Sequence, residues 1–179
     1  AFDLHIYPEC GPYANSRTTW DVTIPVACMT PHARGSVRLT RSVPGAPLTI
    51  DHNYLGDPEG HDLAVLLDGV RIAFELASAA NGDGLLGDLL EDGPPGDDDA
   101  TLRTWIASHV HHYFHAAGTC KMGPVSDPMA VVAHTGEVHS LSGVYVADCA
   151  IMPQVPRANT NIPAAVVGMR IGAGISGRL

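Results

Sequence analysis

The chain has 179 residues, 45% of them hydrophobic and 16% charged, and its 10 Lys+Arg against 19 Asp+Glu leave a net charge of −9. This composition excludes general disorder and allows a buried core of about one domain's size. An acidic chain without a Lys/Arg cluster is a poor partner for nucleic acid or an anionic membrane, and no apolar run reaches the ~18 residues of a membrane span, since the best candidate, 63–80, is broken by Asp68, Arg71 and Glu75.

The opening AFDLHIYPE has no initiator Met, basic region or apolar leader, a pattern expected of a processed or split product or a piece of something longer. Residues 1–52 read as short extended runs, WDVTIPVACM (20–29), GSVRLT (35–40) and APLTIDHNYL (46–55), separated by Gly, Pro, Asn and Asp. Asp57-Pro58 then predicts a helix start, with the acid as cap and the proline at the first helical position. Leu63, Leu66, Leu67, Val70, Phe74 and Ala77 fall on one face of that helix. Asp68, Arg71, Glu75 and Ser78 hold the other, with Arg71 and Glu75 spaced to pair.

Residues 81–99 predict a loop rich in Gly, Pro and Asp. Its closing Asp97-Asp98-Asp99 fits a solvated helix start better than a metal cluster, because negative charge is favoured at the N-terminal dipole. A short helix follows, with Leu102, Trp105 and Ile106 inward. GVYVAD (143–148) predicts a buried strand, and Asn161 to Ile175 an apolar helix that tolerates Pro163 in its first turn.

Cys10, Cys28, Cys120 and Cys149 form no CxxC pair, which excludes the common zinc and redox spacings. Buried free thiols in a reducing, cytoplasmic setting are the expectation. Four of the ten histidines lie in HVHHYFH (109–115). On a helix His111 and His115 would suit zinc. Val110, Tyr113 and Phe114 favour a strand instead, which sets the two roughly 13 Å apart, so no metal site is expected. Gly172-Ala173-Gly174-Ile175-Ser176-Gly177 matches GxGxxG in letters, but it closes a helix instead of following a strand and opening one, so it is no dinucleotide loop.

Three further segments carry chemistry: HAAGTCKMG (115–123), SLSGVYVADCAIMP (140–153) and PRANTNIPA (156–164). Each alone has a structural reading. Gly118 and Gly123 suit turns, His115 a core histidine, Asp148 a loop cap, and Asn159-Thr160-Asn161 a helix cap. Together they set an imidazole, an amide and a carboxylate at the ends of adjacent elements, where α/β ligand sites form.

In order and spacing, HxxGTCxMG, VxDxxxMP and PxxNTNxP resemble the C-terminal signature of the glucose–methanol–choline (GMC) oxidoreductases, flavoproteins that oxidise alcohols. PHARGSVRLT (31–40) and the segment 50–76 also resemble the family's substrate-domain region, so the likeness runs from about Pro31 onward. It implies a mixed fold, α+β with α/β character: a substrate-binding antiparallel sheet with helices over 1–114, and the closing strand and helix of an FAD-binding Rossmann-like domain over 115–179. It implies FAD as cofactor and a small-molecule alcohol as substrate. His115 would be the base that takes the hydroxyl proton while hydride leaves for the flavin, a role suited to an imidazole. Asn159 would orient the alcohol oxygen through its amide. Asp148, Cys149, Thr160 and Asn161 would contact the cofactor, the last two at a helix N-terminus able to favour negative charge on reduced flavin.

Ala116, Lys121 and Cys149 depart from the residues common in the family, and His139 matches a position expected to be structural. The family's N-terminal Rossmann unit is not found in these residues. The resemblance therefore implies a second chain or segment carrying it. Two alternatives stay open, a flavin-containing hydroxynitrile lyase on the same scaffold and a non-catalytic remnant acting as an assembly module.

Overall fold

The computed structural model describes residues 3–12, 18–87 and 93–177. Residues 1–2, 13–17, 88–92 and 178–179, the middle of the predicted 81–99 loop among them, lie outside the described ones. The chain divides into two compact units, one of residues 1–34 and 53–111, the other of 35–52 and 112–179.

The first unit joins two antiparallel strand pairs to two helices. Strand β1 (Leu4–Ile6) pairs with β4 (Val26–Cys28), and β2 (Glu9–Pro12) with β3 (Trp20–Thr23). Helix α1 (His61–Gly82) packs on the β1–β4 pair, and Gly69 is what permits the approach. A Cβ there would overlap the side chains of Val26 and Leu4. Helix α2 (Asp99–His109) closes the core: Leu67 and Val70 of α1 meet Leu102 and Ile106 of α2, with Val26, Leu63, Leu66, Phe74 and Trp105 around them. The apolar face of α1 is thus the predicted one, and Asp98 caps α2 as the acid run requires, accepting from the Ala100 and Thr101 N–H groups at 3.1 Å each.

Two expectations here are corrected. Helix α1 begins at His61, not at Asp57-Pro58. Residues 57–60 form a turn closed by the Gly60 N–H on the Asp57 carbonyl, and the buried Asp57 carboxylate reaches forward to accept from the His61 N–H at 2.6 Å. The acid still caps the helix, but from four residues upstream. Arg71 does not pair with Glu75; its guanidinium bonds Asp99 at the head of α2 and lies 3.5 Å from Asp68.

In the second unit, β5 (Ser36–Leu39) and β6 (Leu48–Asp51) form a hairpin that aligns Val37 with Ile50 and Leu39 with Leu48. Most of 112–160 runs as turns and loops tied by single backbone bonds. Segments 118–122 and 149–151 lie side by side, with the Gly118, Cys120 and Met122 N–H groups donating to the carbonyls of Cys149, Ala150 and Ile151. Helix α3 (Asn161–Ile175) has the predicted bounds and sends Ile171 into a core with Val132 and Ile151.

Three readings fail in this half of the chain. Residues 143–148 are not a buried strand: only Tyr145 makes a bridge, to Glu137, and Val144 and Tyr145 are exposed. A strand exists by pairing, and the described residues offer this one no ladder. Residues 110–114 are irregular rather than extended in a strand, with Phe114 in the left-handed region at φ 60°. Finally, Cys10 is exposed and Cys28, Cys120 and Cys149 are only half-buried, all with free thiols.

Candidate active site

All six residues singled out by the sequence fall in the second unit, on three neighbouring stretches. The first runs through His115 to Gly118. Gly118 turns the backbone at φ 84°, which puts its N–H on the Cys149 carbonyl at 3.2 Å. A side chain at that φ is strained, and a Cβ would also lie 3.1 Å from the Met152 carbonyl oxygen. The glycine thus fixes where the chain leaves His115.

The second stretch is the 3-10 turn Cys149–Ile151, headed by Asp148. One Asp148 carboxylate oxygen accepts from the Ala150 N–H at 2.7 Å, so this exposed acid is a cap first. The Cys149 thiol donates to the Ala116 carbonyl at 3.5 Å, one residue from His115. The third stretch is the head of α3. Thr160, 6% exposed, is its N-cap residue, but the side chain does not cap the helix. Instead Thr160 Oγ1 lies 3.1 Å from His115 Nδ1, and the Thr160 N–H points at the same nitrogen from 3.4 Å. Asn159 and Asn161 flank it and are exposed. Tyr113 sets its ring edge-on to the imidazole, with centroids 5.1 Å apart.

The structure therefore brings His115 and Thr160 into contact across 45 residues of sequence. It sets Asp148 and Cys149 beside the segment that carries them, and leaves the Asn159 side chain at the surface. His139 is structural, as expected: its Nε2 meets the Gly123 carbonyl at 3.0 Å. Lys121, one of the departures noted above, bonds Asp127 at 2.6 Å. With the Met129 N–H, that contact holds the Asp127 carboxyl below its usual range.

The donor set suits the ring end of a flavin. Pro163 lacks an N–H, so the first turn of α3 offers those of Asn161 and Ile162, beside an imidazole and an amide. Among the described residues no strand–glycine turn–helix unit suits a pyrophosphate, and GxGxxG falls at the end of α3, as expected. In the first unit, Cys28, His61 and Asp62 bring ligand-type atoms within 4.8 Å of one another. Both Asp62 oxygens, however, accept backbone N–H groups, from His32 at 2.7 Å and Ala33 at 3.0 Å, so this carboxylate clamps the segment that enters β5.

The site is thus an imidazole held against the N-terminus of the last helix of a mixed α+β chain. The chain belongs to the GMC oxidoreductase family, whose sequence model matches residues 31–168. Among curated relatives, oxygen-dependent choline dehydrogenase 1 of Chromohalobacter salexigens is 34% identical over 153 residues, which is 86% of this chain and 27% of that protein. The choline dehydrogenase of Klebsiella pneumoniae strain 342 is 36% identical over the same share. Pyridoxine 4-oxidase from Mesorbium loti aligns with a TM-score of 0.69 at 27% identity, over 87% of this chain and 29% of its own. The fold also matches a formate oxidase of Aspergillus oryzae, whose FAD modification has been studied, with a TM-score of 0.78 at 21% identity over 92% of this chain and 28% of that one. The chain thus spans about a quarter of the length of these relatives. FAD is the cofactor of the enzymes it resembles.

Proposed function

We propose that this chain is the catalytic, substrate-side portion of an FAD-dependent alcohol oxidoreductase, working with a further segment or chain that carries the ADP-binding Rossmann part. The observation that carries the reading is the contact between His115 and Thr160 at the head of α3, on the two motifs most specific to the family. When bound, the flavin supplies a hydride acceptor for the carbon of the alcohol. His115 takes the hydroxyl proton at Nε2, the nitrogen that faces away from Thr160. The Asn159 amide donates to the alcohol oxygen and holds it as charge develops there; an amide has no basic lone pair to serve as the base. Asn161 and Ile162 present the positive end of α3 to the ring edge, Asp148 and Cys149 line the cofactor side, and the division of labour follows 1–114 for substrate and 115–179 for flavin.

A partner segment accounts for the apolar surface of α3. Ile162, Val166 and Met169 lie on one face of the helix at i, i+4 and i+7 and are 71%, 58% and 76% exposed. A stripe of that kind is the mark of an unfilled interface.

The test is an anaerobic spectrum of the intact FAD-loaded protein mixed with a panel of small alcohols, choline among them. Bleaching of the visible flavin bands by at least one alcohol is expected. Cyanide release from a cyanohydrin without bleaching would replace the reading with a lyase, and neither response would replace it with a non-catalytic module.

A further inference from the structure

We infer that Thr160 is a positioning residue whose hydroxyl decides which nitrogen of His115 is free to take a proton. The inference deepens the reading of His115 as the base and rests on it.

Both hydrogen-bonding contacts of His115 fall on one atom. Thr160 Oγ1 lies 3.1 Å from Nδ1 and the Thr160 backbone nitrogen 3.4 Å from it, while Nε2 bonds none of the described residues. A neutral imidazole carries a single ring proton, and its position decides the chemistry. With the proton on Nδ1, Nε2 keeps its lone pair and can accept a proton from an alcohol. With the proton on Nε2, the outward nitrogen is a donor and cannot serve as base.

The two groups of Thr160 act in opposite senses on this choice. Its backbone N–H can only donate, and it sits at the positive end of α3, so it favours a bare Nδ1. Its hydroxyl can accept as well as donate, and it is the acceptor within reach of an Nδ1–H. Distance favours the hydroxyl. Its contact with Nδ1, at 3.1 Å, is the shorter of the two, and the N–H bond at 3.4 Å is the longer and weaker. The Nδ1–H to Oγ1 bond then persists as Nε2 takes up the alcohol proton, so no group has to turn during the transfer. A 6%-exposed hydroxyl that leaves its helix end uncapped to meet a histidine fits this role better than a structural one.

The experiment compares Thr160→Val, which keeps the shape and the N–H but has no acceptor, with Thr160→Ser, which keeps the hydroxyl. NMR of the intact protein, isotope-labelled at the histidine ring nitrogens and assigned through His115→Gln, reads the His115 tautomer in the neutral form. The Nδ1–H form is expected in the wild type and in Thr160→Ser, and the Nε2–H form in Thr160→Val. In the FAD-loaded protein Thr160→Val lowers the rate of flavin reduction by at least ~10-fold and Thr160→Ser recovers most of it; a wrong tautomer of a catalytic histidine costs as much as ~10⁴ in serine proteases. A wild type that rests as Nε2–H, or an unchanged tautomer in Thr160→Val, overturns the inference even if His115→Ala abolishes reduction. A tautomer that switches as expected while His115→Ala reduces flavin at the wild-type rate overturns the base reading, and with it any catalytic part for Thr160.

Discussion

Replacing Gly118 by Ala and, separately, Gly172 by Ala makes one chemical change at two places whose geometry demands opposite results. Gly118 holds φ 84°, where an L-residue costs about 1–2 kcal/mol, and its new Cβ would press the Met152 carbonyl oxygen at 3.1 Å. That neighbour is backbone and cannot swing aside, so a total near ~2 kcal/mol is expected. Gly172 lies inside α3 with no atom within 4 Å of where a new methyl would sit, and Ala there relieves a helix glycine of up to about 1 kcal/mol. For a chain of this size 1 kcal/mol moves Tm by roughly 2–4 °C, so Gly118→Ala should fall by about 4–8 °C and Gly172→Ala rise by about 2–4 °C. Thermal and urea unfolding followed by circular dichroism read both. Wild-type stability for Gly118→Ala would refute the left-handed turn that sets His115 in place. A loss for Gly172→Ala would refute the reading of 172–177 as a plain helix end.

Packing and charge make three more. Leu102 is fully buried between α1 and α2, and Leu102→Ala should destabilise the first unit by about 2–5 kcal/mol in urea unfolding. The Asp98 carboxyl is held below its usual value of 3.8, first by the Thr101 side chain and then by the backbone N–H groups it caps. Its stabilisation of α2 is therefore complete above that value and lost as pH falls through the depressed one; hydrogen exchange of the α2 amides should show the loss, and Asp98→Asn, which keeps the cap, should remove the pH dependence. Burial first, and Asp62 among nearby carboxylates, push the Cys28 thiol above its usual 9.0. Iodoacetamide at neutral pH should thus label the exposed Cys10 before Cys28, as peptide mass spectrometry would show.

What the sequence revealed, and what it hid, divides along physical lines. Helix α3 was legible to the residue because its apolar run, its first-turn proline and its closing glycines are all local signals. The inward face of α1 was legible for the same reason. Its start was not, because Asp57 caps His61 through an intervening turn, a contact that no N-cap pattern encodes. The 143–148 strand failed because its apolar run reports what the segment is fit to pair with, and pairing is not local. At the site, the motifs supplied His115, Asn159, Thr160 and the residues around them, while the contact between His115 and Thr160 depended on two turns that bring residues 45 apart together. Thr160 reads as a helix cap in sequence; only the geometry shows its hydroxyl turned to the histidine.

The central claim is that His115 carries the proton transfer, and the most direct measurement is the anaerobic, single-turnover rate of flavin reduction by an alcohol in the intact FAD-loaded protein, wild type against His115→Ala. The account predicts a fall of at least ~10² with flavin still bound. An unchanged rate in the variant would contradict it.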